Sequence, residues 1–355
     1  MAYLRDCLVP QSKSKIKAGD GMQFGEYRFF TSSPIQSKYY HTATYDQPAL
    51  IFGTGGNASV HYCDEPFATS TDCLVMYGAK GSNLELIYHY LHTNLHLLQA
   101  GFKGAGLQHI SKEYILDISI DLPEGNEQNQ LLTEIRIIDS LINARHKQLS
   151  KLDELVKSRF IEMFGEVETN VKGFPMKQMD ECCKFIGGAQ PDKSHFEYEK
   201  TDDNIRLIQI RDYKSDRFIT YIPKSMARKT CTATDIMIGR YGPPIFQILG
   251  GIEGAYNVAL MKAVPTAEFN TEYFRYFLKS EKLLHYLESF SQRTAGQDGI
   301  QIDKLNAYPC FVPPIELQNQ FTAFVEQVDK SKFEIQQSLD KLETLKKALM
   351  QKYFG

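Results

Sequence analysis

Residues 126–165 and 316–355 align at an offset of 190 without a gap, and 11 of the 40 positions are identical. The identities include Gln128/Gln318, Asn129/Asn319, Gln130/Gln320, Asp139/Asp329, Leu149/Leu339, Lys151/Lys341, Leu152/Leu342, Leu155/Leu345 and Lys157/Lys347. Each copy carries apolar residues at spacings of three and four: Ile135, Ile138, Ile142, Leu149, Leu152 and Val156 in the first, Val325, Val328, Ile335, Leu339, Leu342 and Leu349 in the second. That spacing is the seam of a coiled coil. Each copy also has six acidic and six basic residues, which makes the remaining faces balanced and solvated. A helix of this length is a rod of about 57 Å, and its stripe would stand in water if it were alone. The two stripes are therefore expected to bury each other. Arg145 and Lys332 interrupt the seam and read as register or packing details.

The repeat extends upstream, because Pro123 and Pro313 share the same offset and each ends an extended apolar segment, "ILDISIDLP" or "LNAYPCFVPP". Regions 1–122 and 166–312 have short β-rich runs separated by Gly, Pro, Asn and Asp, among them "QPALIFG", "DCLVMYG", "IRLIQIRDY", "ATDIMIGRYG" and "YNVALMKAV". One helix is expected to follow in each, "NLELIYHYLHTNLHLLQ" and "TEYFRYFLKSEKLLHYLESF". The expected fold class is mixed α/β, with globular domains at 1–122 and 166–312 and spacer helices at 123–165 and 313–355.

A chain of 355 residues is long enough for two cores. Apolar residues at 43% and charged residues at 23% describe a folded chain without membrane spans. The N-terminal stretch has no apolar run behind a basic start and is not expected to be a secretory signal, so a cytoplasmic location is the default. Seven cysteines without a CxxC are expected to be reduced thiols, with no metal site.

The net charge of -3 offers no global nucleic-acid signature, but the cations cluster locally. Lys13, Lys15 and Lys17 fall within five residues. Arg206, Arg211, Lys214, Arg217, Lys224, Arg228 and Lys229 face only Asp212 and Asp216 in the same stretch, and Arg240 and Arg293 follow. These are candidate phosphate and groove contacts, beside the plainer reading of a solvated surface.

Three motifs suggest catalysis and fall short of it. "IFGTGGNASV" offers a glycine turn after a strand, but an extended segment follows it where a phosphate-holding helix would be needed, so a tight loop is expected. His89, His92 and His96 lie at helical spacing among leucines, which reads as packing and not as a metal site. "GPPIF" and "VPPIE" lack the polar residue before Pro-Pro and the aromatic after it that would hold a flipped base.

The segments "FGEYRFFTSS", "YDQPALIFGTGGNASVHYCDEPFATSTDC" and "PEGNEQNQLL", followed by "GGAQPDK", "IRLIQIRDY", "TDIMIGRYG", "EGAYNVALMKAVP" and "PPIELQNQF", resemble the specificity subunit of type I restriction-modification systems over essentially the whole chain. The resemblance implies two target recognition domains, each reading one half of a bipartite site in double-stranded DNA. It implies two long antiparallel coiled-coil helices as spacer and as docking surface for two modification subunits, with restriction subunits joining through them and an approximate twofold internal repeat. It implies no catalytic residue and no cofactor in this chain, S-adenosylmethionine, ATP and Mg belonging to the partner subunits. Half-sites one turn apart, ~34–36 Å, suit such a spacer.

On that reading the expected base-reading residues are Lys38, Tyr39, Tyr40, Thr54, Gly55, Gly56, Asn57 and Lys103 in the first domain. In the second they are Lys193, Arg211, Lys214, Arg240, Tyr241 and Arg293. Arg suits guanine O6/N7 and Asn suits adenine. Two rivals remain at this stage: a DNA methyltransferase using the "GTGG" loop, and a coiled-coil adaptor that binds protein.

Overall fold

The computed structural model describes residues 2–104, 106, 108–123, 125–242, 244–290 and 299–355. The chain divides into two compact units, residues 1–148 with 335–355 and residues 149–334.

In the first unit the chain runs β1 (Ala2–Tyr3), α1 (Leu4–Cys7), β2 (Leu8–Pro10), β3 (Tyr27–Phe30), β4 (Lys38–Tyr40), β5 (Ala49–Gly53), β6 (Val60–Cys63), β7 (Phe67–Thr69) and β8 (Cys73–Gly78). Helices α2 (Leu84–Thr93), α3 (Leu95–Gln99) and α4 (Lys112–Leu116) follow, then β9 (Ser119–Ile120) and α5 (Asn126–Phe164), which ends in the second unit. An antiparallel sheet has the order β2-β8-β5-β6, a second has β4-β3-β7 with β3 and β7 parallel, and β1 pairs with β9.

All five residues of β5 are buried, so it reads as an unbroken apolar run. Alternation then sends its side chains to two cores. Leu50 and Phe52 join Ile87, Leu91 and Leu98, while Ala49 and Ile51 join Phe67, Cys73 and Val75. Each such buried Leu, Ile or Phe contributes roughly 1.5–3 kcal/mol.

The second unit repeats this plan. Its elements are β10 (Met176–Gln178), α6 (Met179–Cys182), β11 (Cys183–Gly187), β12 (Asn204–Ile208), β13 (Tyr221–Pro223), β14 (Thr230–Cys231), β15 (Ile236–Gly239), β16 (Gln247–Leu249), β17 (Gly254–Tyr256) and β18 (Leu260–Pro265). Helices α7 (Thr271–Leu278), α8 (Glu281–Phe290) and α9 (Ile302–Asn306) lead to β19 (Pro309–Phe311) and α10 (Ile315–Phe354), whose last part lies in the first unit. The sheets are β11-β18-β15-β16, β13-β12-β17-β14 with β12 and β17 parallel, and β10-β19. Strand for strand, β15 corresponds to β5 and β12 to β3.

Within each unit the two long helices run antiparallel. In the first, Leu131, Leu132 and Ile135 pack with Met350, Phe354 and Leu86, and Asp139 pairs with Lys346 at 2.5 Å. In the second, Val156 and Phe164 share a core with Phe321, Val325 and Val328, and the Phe160 and Phe321 rings lie 5.3 Å apart. Of the seam residues, Ile135, Ile138, Val156, Val325, Val328 and Leu339 are buried. Ile142, Leu149, Leu152, Ile335, Leu342 and Leu349 are half-buried. Arg145 crosses the seam to donate to Ser338 Oγ at 3.2 Å, and Lys332 donates to Asp153 at 2.6 Å.

Two expected helices are each broken in two. The first stops at Asn94, whose Nδ2 donates to the Tyr90 and Phe354 carbonyls at 3.2 and 2.8 Å and so caps both α2 and α10. The second stops at Lys279 and Ser280, whose N–H groups turn back onto Tyr276 and Phe277. The expected strand "YNVALMKAV" also divides, because Asn257 Oδ1 accepts from Ala259 N at 3.1 Å in a turn between β17 and β18.

His89 is buried, and burial together with the neighbouring Lys346 pushes its imidazole down to about 4. All seven cysteines are free thiols and six are buried; burial pushes Cys73 and Cys183 up to about 12. Among the described residues no helix is long and apolar enough to cross a membrane.

Candidate nucleic-acid interface

In the first unit the loop after β5 is organised by Ser32, which lies just beyond β3. Its Oγ donates to the Asp72 carbonyl at 2.7 Å and accepts from the N–H groups of Thr54 and Gly55 at 3.1 and 3.3 Å. Thr54 is itself buried, and its hydroxyl donates to the same Asp72 carbonyl at 2.9 Å. It therefore shapes the loop from within. Gly56 has φ +84, open to glycine and strained for other residues, and it is exposed together with Asn57. The N–H of Gly56 donates to Gln108 O at 3.3 Å. The loop amides at 54, 55 and 56 are thus committed to protein acceptors and do not form a phosphate cradle.

A second loop lies across this one. Gly55 and His109 form a backbone bridge, Lys103 and His109 exchange both backbone hydrogen bonds at 2.9 and 3.0 Å, and Ile110 N donates to Thr54 O at 3.2 Å. His109 Nδ1 lies 3.1 Å from the same Thr54 oxygen. The fold therefore brings Thr54, Gly55, Gly56 and Lys103 together. Gln108 and His109, both exposed, belong to that group and escaped the sequence reading. Only their polarity between Gly106 and buried Ile110 hinted at them.

Lys38, Tyr39 and Tyr40 form a separate group on β4, held by the loop before β3. Lys38 Nζ donates to Ala18 O at 2.8 Å, Tyr39 exchanges backbone bonds with Met22 at 2.9 Å, and the Tyr40 ring stacks on Phe29 at 5.5 Å. All three are half-buried.

In the second unit the equivalent strands β12 and β15 lead into Arg211 and Arg240. Arg211 lies in a 3-10 turn after β12, where Ile210 packs 3.4 Å from the position a Gly239 Cβ would take at the end of β15. Arg240 and Tyr241 follow β15 directly, with the Arg240 guanidinium 5.3 Å from the Tyr241 ring centre. Ile300 N donates to Arg240 O at 3.3 Å, and Tyr241 bridges to Gly299.

Arg211 donates to Phe218 O at 3.2 Å, and the exposed Phe218 ring lies 5.8 Å from its guanidinium and 5.1 Å from that of Arg217. With Tyr198, Lys200 and Tyr221 these side chains line a groove of about 510 Å³. Beneath it Asp212 is buried, accepting from Gln209 N at 3.1 Å and lying 3.8 and 3.7 Å from Arg206 and Arg211. Burial raises its carboxyl above the usual range, against the opposing pull of those hydrogen bonds and arginines. Lys214 ends the Arg211 turn and Lys193 lies in a capped 3-10 turn; both are exposed. Arg293 lies outside the described residues. Arg217 is among the clustered cations of the sequence, whereas Phe218, Tyr198 and Lys200 escaped the sequence reading because nothing periodic marks a loop residue as exposed.

Exposed cations and aromatics on loops at strand ends suit contact with phosphates and base edges. Residues 8–154 match the family model described as the type I restriction modification DNA specificity domain. The fold is similar to that of a type I restriction-modification system S subunit from M. genitalium, with a TM-score of 0.61 at 14% identity, covering 100% of this chain and 95% of that one. It is also similar to a structure solved to explain complex assembly and conformational transition of the type I R-M system, with a TM-score of 0.55 at 14% identity, covering 99% and 96%. At such identity the likeness concerns the fold. Residues 8–154 thus match the type I restriction modification DNA specificity domain, and the chain as a whole shares the fold of these two solved structures.

Proposed function

We propose that this chain is the DNA-reading subunit of a type I restriction-modification complex and carries no catalytic site itself. The observation that carries the reading is the duplication of one domain plan with unlike loop residues: equivalent strand ends lead to exposed Gly56 and Asn57 in one unit and to Arg240 and Tyr241 in the other. One plan with two sets of reading groups suits two different half-sites. The GTGG loop, its amides already bonded, offers little to a methyl donor.

Two modification subunits dock on the long helices in this proposal, with restriction subunits joining through them. Leu155 and Leu345, identical at the repeat offset, are 47% and 54% exposed, a pair of equivalent apolar points for two copies of one partner. S-adenosylmethionine, ATP and Mg belong to those partners, and the cytoplasm, where chromosomal DNA is accessible, is the place of action. Genome-wide methylation mapping in the host, with and without this chain, tests the reading. A bipartite motif should vanish with the chain; a methylome independent of it would overturn the proposal.

A further inference from the structure

The two units build the same backbone bridge and place the side chain on opposite sides of it. In the first, Gly55 bridges to His109 while Ile110 N donates to Thr54 O; in the second, Tyr241 bridges to Gly299 while Ile300 N donates to Arg240 O. Thr54 thus corresponds to Arg240, Gly55 to Tyr241, His109 to Gly299 and Ile110 to Ile300, the last two both buried. Where one loop carries a ring, the other carries glycine. A Cβ at Gly299 would lie 3.0 Å from the Tyr241 ring, so a side chain there would crowd that ring.

The His109 ring has a fixed sense. A carbonyl oxygen can only accept, so the contact to Thr54 O at 3.1 Å places the proton on Nδ1. In the neutral ring Nε2 is then an acceptor. The loop does not need the ring for support, because the backbone bonds of Lys103, His109, Ile110 and Gly56 already hold it, and the side chain is exposed. An exposed acceptor of fixed tautomer, beside Lys103, suits recognition of an amino group.

We infer that the bridge is the specificity-determining element of each unit, and that His109 reads its half-site by accepting, at Nε2, from the exocyclic amino group of adenine or cytosine. In the second unit the equivalent place is read by Tyr241 and Arg240. In the major groove adenine N6 and cytosine N4 are the amino donors, so the contact distinguishes them from thymine and guanine. This inference rests on the DNA-reading function proposed above.

The test is methylation mapping in hosts carrying the full-length chain as wild type, His109→Ala, His109→Phe or Tyr241→Ala. His109→Phe keeps a ring without an acceptor. Both His109 variants should relax one position of one half-site, with about tenfold loss of discrimination there, and leave the other half intact. Tyr241→Ala should relax the other half. An unchanged motif in both His109 variants, or relaxation of both halves together, overturns the inference. A wild-type methylome that does not depend on this chain would instead overturn the DNA-reading function itself.

Discussion

The side-chain amide of Gln318 donates to the carbonyl of Pro313 at 2.8 Å, five residues back, and 190 residues earlier Gln128 makes the same bond to Pro123 at 2.6 Å. The repeated Gln-Asn-Gln is therefore a device for starting the helix. It satisfies the carbonyl of the proline that ends each domain and fixes where the helix leaves it. The second copy does more, since Gln318 also donates to Glu268 O and accepts from Asn270 N at 2.9 and 2.8 Å, while Asn270 caps α7.

Gln318 is fully buried and Gln128 only partly. Gln318→Ala should therefore destabilise the second unit by about 3 kcal/mol, because it strands buried polar groups, whereas Gln128→Ala should cost about 1 kcal/mol. Urea unfolding of the two variants checks the difference, and equal losses would contradict this account of the repeat.

Phe164 is fully buried between Phe160, Tyr273 and Phe321, with ring distances of 4.9, 4.7 and 5.6 Å. Phe164→Ala should cost about 3–5 kcal/mol. Hydrogen exchange should show the loss in α7 and at the start of α10.

His89 gives the first unit a pH dependence. Its folded pKa of about 4 lies below the unfolded 6.5, so the unfolded chain binds the extra proton between those values. Stability is complete above about pH 6.5 and falls as the pH drops towards 4, by about 1–3 kcal/mol in total. His61 and His92, also lowered by burial, act in the same direction. In thermal unfolding at pH 7, 5.5 and 4.5, His89→Leu should lose much of the slope. A slope equal to wild type would remove His89 from the account.

Arg240 is half-buried, donating through Nη1 to Val258 O at 3.4 Å and lying on Tyr241. Arg240→Ala should relax or abolish recognition in one half-site only, at a cost of roughly 1–3 kcal/mol of discrimination. Methylation mapping that found both halves equally affected, or neither, would count against it.

The duplicated helices were legible because helical order is local: stripes at three and four residues and a fixed offset need no knowledge of the remote chain. For the same reason the buried strand β5 and the tight glycine loop were legible from their own residues. The breaks at Asn94 and at Lys279 were not. Asn94 stops its helix partly by bonding Phe354, 260 residues away, and no window of sequence contains both. The candidate site residues divide the same way. By itself the sequence placed Arg240, Tyr241, Gly55 and Lys103 on loops. Only the tertiary structure set His109 against Gly55 and Gly299 against Tyr241, because a bridge between loops more than fifty residues apart depends on how two sheets pack and leaves no periodic mark in the chain.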